Sequence, residues 1–518
     1  MALQEHTRRA PVRLSAALLL FSLVGCQTAP PAPDRGTVGK HLAQRFGHSL
    51  PTSTAPGQFV LPPGVSLESL TEDAAVAVAL WNNAAFQELL TDLGLARGDL
   101  IQAGLLPNPE FLYFFGVSQK PFKYAFEFPI EALWLRPIRV ATAAREADRA
   151  AARLTQAGLD LMRDVRLAYA DVLLAKERMR VAEEGVRLRG RVADLAEKRL
   201  DAGDISPQEG ATARIDALQA QQDAVRAAFD IPVAEERLRN LMGMGTLRDP
   251  INLDAPLPAC QVFDVDALID TALRSRPDML AAGEGVAAAQ ARLKFARIGW
   301  VRLLGIGDAS SGRATGHQFG PALRFTVPIF NWNQGGIVRA EADLERAHRL
   351  RQTVANLIVL DVRRAYLQYQ QACAELGVLR AKVRPEVEAA IRRAQKAYEE
   401  GNVTYLIVLE TTRQLLDSYL REAMLNGDLR RAGAELERSA GRRLEAVAPA
   451  SPPPLPAGKG QEPPKVMEPP SKLGIDEPPA RIPALPPIPI PAPPPAPPVS
   501  LPRLPEPEPQ WTRAKGTP

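Results

Sequence analysis

A six-residue segment, Asp164-Val165-Arg166-Leu167-Ala168-Tyr169, returns later in the chain as Asp361-Val362-Arg363-Arg364-Ala365-Tyr366. Two further pairs of segments repeat in the same order and at nearly the same spacing, Phe126–Ile130 with Phe325–Ile329 and Ala202–Ser206 with Glu400–Thr404. Self-similarity at a fixed spacing is the sequence signature of a duplicated architecture. The three ordered matches therefore predict that the folded part of the chain is a tandem duplication.

The duplication sets the expected domain boundaries. We expect a first copy over residues 66–244 and a second copy over 265–443, each with the order amphipathic helix, β-hairpin, very long helix, glycine-containing turn and returning helix. Residues 245–264, hereafter the connector, contain three prolines and are predicted to be irregular. Residues 444–518 hold 26 of the 48 prolines, a composition that predicts a disordered tail.

The composition argues against an enzyme and against a nucleic-acid-binding protein. The 518 residues carry 63 Lys and Arg against 59 Asp and Glu, and a net charge of +4 is small for a nucleic-acid surface. The five histidines and three cysteines show no ligand spacing, and we find no phosphate-binding glycine loop and no nucleophile elbow. We therefore predict no catalytic residue, no metal site and no cofactor. Cys260 in the connector and Cys373 in a long helix are expected to be unpaired.

The first residues predict an export signal. Arg8, Arg9 and Arg13 precede an apolar run, 14–24, which has the length of a signal-peptide core and is too short to span a membrane. The expected signal peptide covers residues 1–25, so the chain is predicted to leave the cytoplasm.

The end of this run, Leu23-Val24-Gly25-Cys26, resembles the bacterial lipobox. The resemblance implies cleavage before Cys26 and acylation of its thiol, which makes Cys26 the lipid-attachment residue. Gln27, rather than Asp, at the next position is compatible with the outer membrane. Residues 26–65 are rich in Pro, Gly, Ser and Thr and are predicted to be a lipid-anchored tether. In the alternative interpretation, Cys26 is an ordinary thiol close to a cleavage site further along the chain.

Two predicted hairpins carry an apolar face. Within residues 122–128, aromatic residues alternate with Lys, Ala and Glu, which is the period of a strand with one apolar side. The first hairpin is expected at about 110–129 with a turn at 118–121, and the second at about 301–328 with strands 301–308 and 319–327 around Ser310-Ser311-Gly312. Strands of about 8 to 10 residues have the length that crosses a bilayer at a tilt. The alternative is a pair of soluble hairpins that cap helices.

Two hairpins supply only four strands, whereas the smallest single-chain membrane barrels have about 8. An open sheet does not persist in lipid with unpaired edges. If the strands lie in a membrane, several chains must therefore share one barrel.

Two stretches predict exceptionally long helices. Residues 131–200 contain no proline after Pro137 and would span about 105 Å at roughly 1.5 Å per residue. Apolar residues recur there in steps of four and three, as in a coiled-coil seam. The predicted seam residues are Leu161, Val165, Ala168, Val172, Ala175, Met179, Ala182 and Val186 in the first copy, and Val359, Val362, Ala365 and Leu367, continuing toward Tyr398, in the second. Taken alone, this period favours a coiled-coil or filament protein, but the signal peptide and the hairpins argue against one.

Four groups of residues make the chain resemble the TolC family of outer-membrane efflux proteins, especially its lipid-anchored members. They are Ala103–Pro109, Arg276-Pro277-Asp278, Val327–Phe330 with Gly336, and the turn glycines Gly203 and Gly401. The resemblance implies a mainly α fold with a small membrane β part, in which each protomer is a TolC-like duplicated helical unit with four strands. Three such protomers would form a trimeric 12-stranded β-barrel that continues into an α-helical barrel in the periplasm.

The resemblance also implies a function. The chain would be a passive exit duct in the outer membrane, a homotrimer docked to a periplasmic adaptor (membrane fusion protein) and to an inner-membrane pump of the resistance-nodulation-division (RND) type. Two alternatives are a duct for type I protein secretion and a non-transport periplasmic coiled-coil lipoprotein. The pump would select the transported solute, so the duct sequence leaves its identity open.

The resemblance places the adaptor contacts at the two turns between long helices. The matching positions are Arg199, Gly203, Asp204 and Ser206 in the first turn and Gly401, Asn402 and Thr404 in the second. The two glycines suit the positive φ that ends a helix, and Ser206 and Thr404 suit the cap of the next helix. Any helix hairpin needs this capping chemistry, so the alternative role is purely structural. Pro129 and Pro328 are the expected strand-to-helix turns.

The variant Cys26→Ser is expected to abolish acylation, because the lipid is attached through the sulfur of Cys26. Cells that express either form would be fed a radioactive fatty acid, and the label on the immunoprecipitated protein would be counted. Cys260→Ser is the matched control and should keep the label. Label retained by C26S would refute the lipobox interpretation.

Overall fold

Helices dominate the computed structural model, which describes residues 31–52, 55, 57–115, 122–248, 251–312 and 316–444. In the first half, the elements are α1 (Arg35–Phe46), α2 (Glu72–Asn82), α3 (Ala84–Leu89), α4 (Asp92–Gly104), β1 (Glu110–Phe114), β2 (Phe122–Pro129), α5 (Glu131–Asp201) and α6 (Pro207–Leu241). In the second half, they are α7 (Val265–Ser275), α8 (Pro277–Ile298), β3 (Leu303–Gly312), β4 (Gly316–Phe325), α9 (Gln334–Val378), α10 (Arg384–Glu399) and α11 (Tyr405–Ala440). Each half thus follows the expected order of helix, hairpin, long helix and returning helix.

The long helix of the first half, α5, has 71 residues and ends one residue later than predicted. It is built mainly from Ala, Arg, Leu and Glu, which are strong helix formers. Its neighbours along its length are α6, α8 and α11. Of the helices that the structure describes, none is both long and apolar enough to cross a bilayer.

The long helix of the second half changes its winding once. A π-helical turn, Leu379–Val383, separates α9 from α10, and Pro385 is the second residue after it. Proline lacks the N–H that bonds to the preceding turn, and its ring clashes with the carbonyl four residues earlier. The wider π turn gives that ring room, so the helical path continues to Glu399.

The predicted seams are only partly right. In α5, burial follows the prediction from Leu161 to Ala175 and then moves around the helix. The predicted Met179, Ala182 and Val186 are half-buried, and the buried residues in that stretch are Val181, Gly185 and Leu188. In α9, Leu367 is exposed and Val359 half-buried, and the buried residues are Ile358, Val362, Ala365, Tyr369, Ala372 and Leu376. Sequence period alone does not show which neighbouring helix a long helix meets at each level, so it misplaces the buried face where that neighbour changes.

The segment expected to be a tether contains a helix that belongs to the core. Asp34 caps α1, because its carboxylate accepts a hydrogen bond from the Thr37 N–H at 2.8 Å. Leu42 and Phe46 of α1 are buried in one hydrophobic cluster with residues of α2 and α5. The expectation of a tether over 26–65 is therefore wrong for residues 35–46. A short helix is stabilised mainly by tertiary packing of its apolar face, which local composition does not reveal.

The four strands form one antiparallel sheet in the order β1-β2-β3-β4. The second hairpin has different bounds from those expected, because Ser310, Ser311 and Gly312 belong to β3 and not to the turn. Ser310 and Ser311 also pair with β2 on their other side, where Lys123 lies opposite Ser310, and this second ladder holds them in the sheet. Residues 313–315 and the expected first turn at 118–121 lie outside the described residues.

The connector is fixed against both halves of the chain. The hydroxyl of Tyr169 in α5 lies 2.9 Å from the carbonyl oxygens of both Leu70 and Asp254, to which it donates. Cys260 and Cys373 were expected to be unpaired, and this expectation is wrong: they form a disulfide with Cα atoms 5.8 Å apart. They are 113 residues apart in the sequence, so only the tertiary fold brings them together.

The variant Gly243→Ala is expected to destabilise the first half strongly. Gly243 has a φ of 72°, and a Cβ at this position would lie 2.2 Å from the backbone oxygen of Asn82. The loss of unfolding free energy should be about 3 kcal/mol, because both the backbone conformation and the close approach exclude a side chain. Thermal unfolding of the detergent-solubilised protein measures it.

Gly245→Ala is the matched control for this prediction. A Cβ built on Gly245 meets no atom of the described residues within 4 Å. Equal melting temperatures for the two variants would contradict the close approach at Gly243.

Candidate functional site

Two regions contain the predicted functional residues that the structure describes. One consists of residues 199–206 and 398–404, hereafter the tip turns, and the other is the sheet with the turns that leave it. Cys26, the expected lipid-attachment residue, lies outside the described residues. In the described part of the chain, no group of three or more His, Cys, Asp and Glu side chains is arranged to hold a metal ion.

The first tip turn ends α5 with a glycine in the left-handed conformation. Gly203 has a φ of 81°, and the N–H of Asp204 donates to the carbonyl of Arg199 at 2.8 Å. This pattern satisfies carbonyl groups at the helix end. Ser206 then caps α6, because its Oγ accepts from the Glu209 N–H at 3.2 Å while the Glu209 carboxylate accepts from the Ser206 N–H at 3.4 Å. The turn therefore has the backbone geometry expected of Gly203 and Ser206.

The second tip turn has the same backbone shape and a weaker cap. Gly401 has a φ of 76°, and the N–H of Asn402 donates to the carbonyl of Ala397 at 2.8 Å. The Thr404 side chain makes no capping hydrogen bond to α11, so the expectation that it caps this helix is wrong. The residue three positions later is Ile407, which has no carboxylate or amide to complete a reciprocal capping box.

Arg199 joins the two tip turns. Its guanidinium carbon lies 4.8 Å from the centroid of the Tyr398 ring, and it donates a hydrogen bond to the Tyr398 carbonyl at 3.3 Å. The pair combines a cation–π contact with a hydrogen bond. Arg199 is half-buried, whereas the six other predicted tip residues are exposed: Gly203, Asp204, Ser206, Gly401, Asn402 and Thr404. Backbone and polar groups of both turns are therefore available to a partner on one surface.

Two buried tyrosines that were not among the predicted site residues, Tyr398 and Tyr405, hold the helix ends beneath the tip turns. The rings of Tyr398 and Tyr405 are 6.4 Å apart between centroids and meet edge to face. The Tyr405 hydroxyl donates to the carboxylate of Asp216 in α6 at 2.7 Å. Burial raises the pKa of Tyr405, the hydrogen bond with Asp216 raises it further, and burial also raises the pKa of Tyr398. Both phenols are therefore neutral at physiological pH. The sequence signal that could have revealed this pair was one tyrosine on each side of the second tip turn.

The sheet has one polar and one apolar face. On the polar face, Lys123 Nζ lies 2.9 Å from a carboxylate oxygen of Asp308, and Arg324 donates to the Glu127 carboxylate at 3.2 Å. On the other face, Gly307 lies between Phe126 and Phe319, where a Cβ would be 3.9 Å from the Phe126 Cβ and 3.8 Å from the Phe319 ring. Exposed apolar residues of this face are Phe111, Tyr113, Tyr124, Phe126, Phe319, Leu323 and Phe325. A strand between lipid and a water-filled interior requires this alternation.

Pro129 and Pro328 lie where the strands lead into the long helices. Pro129 is the last residue of β2, and the N–H of the following residue, Ile130, donates to the carbonyl of Leu303 at 2.8 Å. Pro328 lies three residues after the end of β4. Phe330, two residues further on, is 91% exposed. Trp332 is a second exposed aromatic residue near Pro328; sequence reasoning missed it and used Phe330 only as one of the residues that carry the family resemblance. The sequence signal for this pair was the presence of two aromatic residues shortly after a strand of bilayer-crossing length.

Asn333 fixes the start of α9 and was also missed. Its backbone has a φ of 70°, and its side-chain amide donates to the carbonyl of Ala296 in α8 at 2.8 Å. Asn tolerates the left-handed conformation better than most residues. Asn333 therefore ties the long helix to the helix that precedes the second hairpin.

A family model described as outer membrane efflux protein matches residues 118–244 and 268–442 of this chain. The cobalt-zinc-cadmium resistance protein CzcC of Cupriavidus metallidurans is 27% identical over 390 residues, which cover 72% of this chain and 90% of that protein. The pyoverdine export outer membrane protein OpmQ of Pseudomonas putida is 24% identical over 326 residues, which cover 59% of this chain and 66% of that protein.

Solved structures share the fold. The outer membrane protein VceC of Vibrio cholerae superposes with a TM-score of 0.61 at 18% identity and covers 72% of this chain and 96% of its own. CusC gives a TM-score of 0.61 at 18% identity, covering 79% of this chain and 99% of its own. The MtrE channel of Neisseria gonorrhoeae gives 0.54 at 18% identity, covering 80% and 98%. The predicted fold class, mainly helical with four antiparallel strands, is confirmed.

Proposed function

The chain belongs to the outer membrane efflux protein family, and we propose that it is the trimeric exit duct of a tripartite system that exports divalent metal cations. The observation that carries the transport function is the family match, which extends over both halves of the chain at 118–244 and 268–442. Membership of an efflux family favours neither protein secretion nor a non-transport lipoprotein. A passive duct needs no catalytic group, and the energy for export comes from the inner-membrane pump.

The edges of the sheet support a homotrimer. Among the described residues, the outer edges of β1 and β4 have no partner strand. Backbone groups without hydrogen bonds are costly in a bilayer, so each edge requires a strand from another chain. In a ring of copies, β1 of one protomer pairs with β4 of the next. Three copies supply the 12 strands that the resemblance to the TolC family implies.

Apolar stripes on two long helices support the same assembly. On α6 the stripe consists of Ile215, Leu218, Val225, Phe229 and Val233, and on α9 of Val338, Leu357, Leu360, Leu367 and Val378, all more than half exposed in the single chain. On α6 the spacing follows the helical period, so the stripe is one continuous face, whereas on α9 the exposed residues cluster from Leu357 to Leu367 with single residues on either side. Exposed apolar faces of this length mark protein contacts. In the trimer, these stripes pack against helices of the neighbouring protomers.

Equivalent tyrosines support the tandem duplication. Tyr169 and Tyr366 occupy the same place in the repeated segment Asp-Val-Arg-x-Ala-Tyr. The hydroxyl of Tyr169 donates to the carbonyl of Asp254, and that of Tyr366 donates to the carbonyl of Phe263 at 2.8 Å. Both tyrosines thus bind the connector, one from each copy, which is the relation expected of two copies that share one linker.

The outer-membrane anchor consists of two parts in this proposal. Acyl chains on Cys26 insert into the inner leaflet, and each buried methylene contributes about 0.8 kcal/mol. The exposed Phe330 and Trp332 follow the last strand, where aromatic side chains favour the boundary between lipid and water. The protein then extends from this boundary into the periplasm through its long helices.

The cargo is proposed from the relatives. CzcC aligns over 90% of its length at 27% identity, against 66% at 24% identity for OpmQ. CzcC is described as a cobalt-zinc-cadmium resistance protein, which favours divalent cations as the cargo here. OpmQ is described as a pyoverdine export protein, so export of an organic siderophore is the second candidate.

The tip turns are the proposed contacts of the periplasmic adaptor. In both halves, the long helix that follows a hairpin ends at a tip turn, so the length of that helix separates the tip turn from the sheet. Their exposed residues, among them Asp204 and Asn402, present polar groups that a helical hairpin of an adaptor can bind.

The variants Gly203→Pro and Gly401→Pro are expected to leave trimers in the outer membrane and to impair export. Proline fixes φ near −65°, whereas these glycines have φ of 81° and 76°. Each substitution therefore reshapes one tip turn far from the sheet. Trimers are measured by mass in mild detergent, and export by resistance of the cells.

Gly64→Pro is the matched control, because Gly64 also has a positive φ, 80°, and lies outside the tip turns. Normal resistance with both tip variants would contradict the adaptor contact. Loss of the trimer in these variants would show that the tip turns serve assembly instead.

Deletion of the gene is expected to lower the concentrations of Zn²⁺, Co²⁺ and Cd²⁺ that inhibit growth, and to raise cell-associated zinc measured by mass spectrometry. Tolerance of organic antibiotics should stay unchanged. A plasmid copy of the wild-type gene restores metal tolerance. Unchanged metal tolerance together with loss of siderophore secretion would favour the second candidate.

A further inference from the structure

Part of the connector lies on the surface with little burial to fix it. Residues 259–262 are exposed, and Leu257 and Val262 are 73% and 66% exposed. Burial of apolar surface therefore contributes little to the position of this segment. Phe263 is the next residue to enter the core, where it packs near the Tyr369 ring.

Two tyrosines of α9 bind this exposed segment through its backbone. Tyr369 Oη accepts a hydrogen bond from the Gln261 N–H at 3.0 Å and donates to the Ala259 carbonyl at 3.3 Å. Tyr366 Oη donates to the Phe263 carbonyl at 2.8 Å. Hydrogen bonds at a solvent-exposed segment are each worth only about 1 kcal/mol, so they alone leave the segment free to open.

The disulfide adds a covalent link at the same place. Cys373 lies four residues after Tyr369, on the same face of α9, and is bonded to Cys260. The bond closes a loop that contains α7, α8, β3, β4 and most of α9. The second hairpin therefore lies within a segment whose two ends, Cys260 and Cys373, are covalently joined.

We propose that the Cys260–Cys373 disulfide is a latch, set by thiol oxidation after export, that locks the connector between the two copies onto α9. The two thiols lose two protons and two electrons, and a disulfide-bearing protein oxidant outside the cytoplasm accepts them through a mixed disulfide and leaves as a dithiol. The latch rests on the geometry of the connector and not on the exported solute. Its tests are therefore independent of the metal-export proposal.

The state of the latch is tested by thiol counting. Protein from the outer-membrane fraction is denatured and treated with a maleimide that shifts its mobility on a gel, with and without prior reduction. We expect Cys260 and Cys373 to react only after reduction, and the variant C260S to expose one reactive thiol at Cys373 without reduction. Labelling of both cysteines in unreduced wild-type protein would overturn the proposal.

The effect of the latch is tested by limited proteolysis of the assembled protein. Thermolysin cleaves before apolar residues that are not followed by proline, so the exposed Val262 is its main site in the connector. We expect reduction to make cleavage there about tenfold faster, because opening of the segment then needs no bond breaking. C260S/C373S should be cleaved at the fast rate whether or not it is reduced, which controls for effects of the reductant elsewhere. Equal rates for oxidised and reduced wild-type protein would overturn the proposal.

Discussion

Backbone hydrogen bonding at the two edges of a four-stranded sheet is the constraint on which the rest of this protein depends. An N–H or C=O group that lacks a partner in lipid costs several kcal/mol, and β1 and β4 each present a row of them. The cost falls only when strands of other copies pair with these edges. Because Pro129 and Pro328 lead from the strands directly into long helices, a closed ring of strands brings the helices of the copies side by side. The exposed apolar stripes on α6 and α9 are the surfaces that the proposed trimer would cover.

The same constraint explains why the connector must be held firmly. Each copy contributes one hairpin to a single sheet, and β2 of the first copy pairs with β3 of the second. This pairing joins strands from two repeats, which the connector and the helix contacts also hold together. Tyr169 binds the connector from the first copy, and Tyr366 and Tyr369 bind it from the second. The disulfide at Cys373 reinforces the side on which the connector has least burial.

The sequence predicted the features that local chemistry decides. The end of α5 was placed within one residue, because a long run of strong helix formers stops at a glycine that needs a positive φ. The sequence-based predictions were wrong for features that depend on contacts with residues far away in the sequence. The helix α1 packs into a cluster with α2 and α5, Ser310 stays in β3 because β2 pairs with it, and Cys260 finds its partner 113 residues away. At the second tip turn, Thr404 suited a cap by residue type, but Ile407 gives no reciprocal hydrogen bond.

The chemistry of the cysteines connects the latch to the proposed cargo. The chain has three cysteines, of which two form the disulfide and the third is the proposed lipid-attachment residue. Thiolates bind Zn²⁺ and related soft cations tightly, whereas a disulfide or an acylated sulfur has no thiolate to offer. A passive duct must let its cargo leave, so a tight thiolate site on its surface would retain cations that the pump has expelled. Oxidation of Cys260 and Cys373 therefore secures the connector and also removes the pair of ligands that would compete most strongly for a metal cargo.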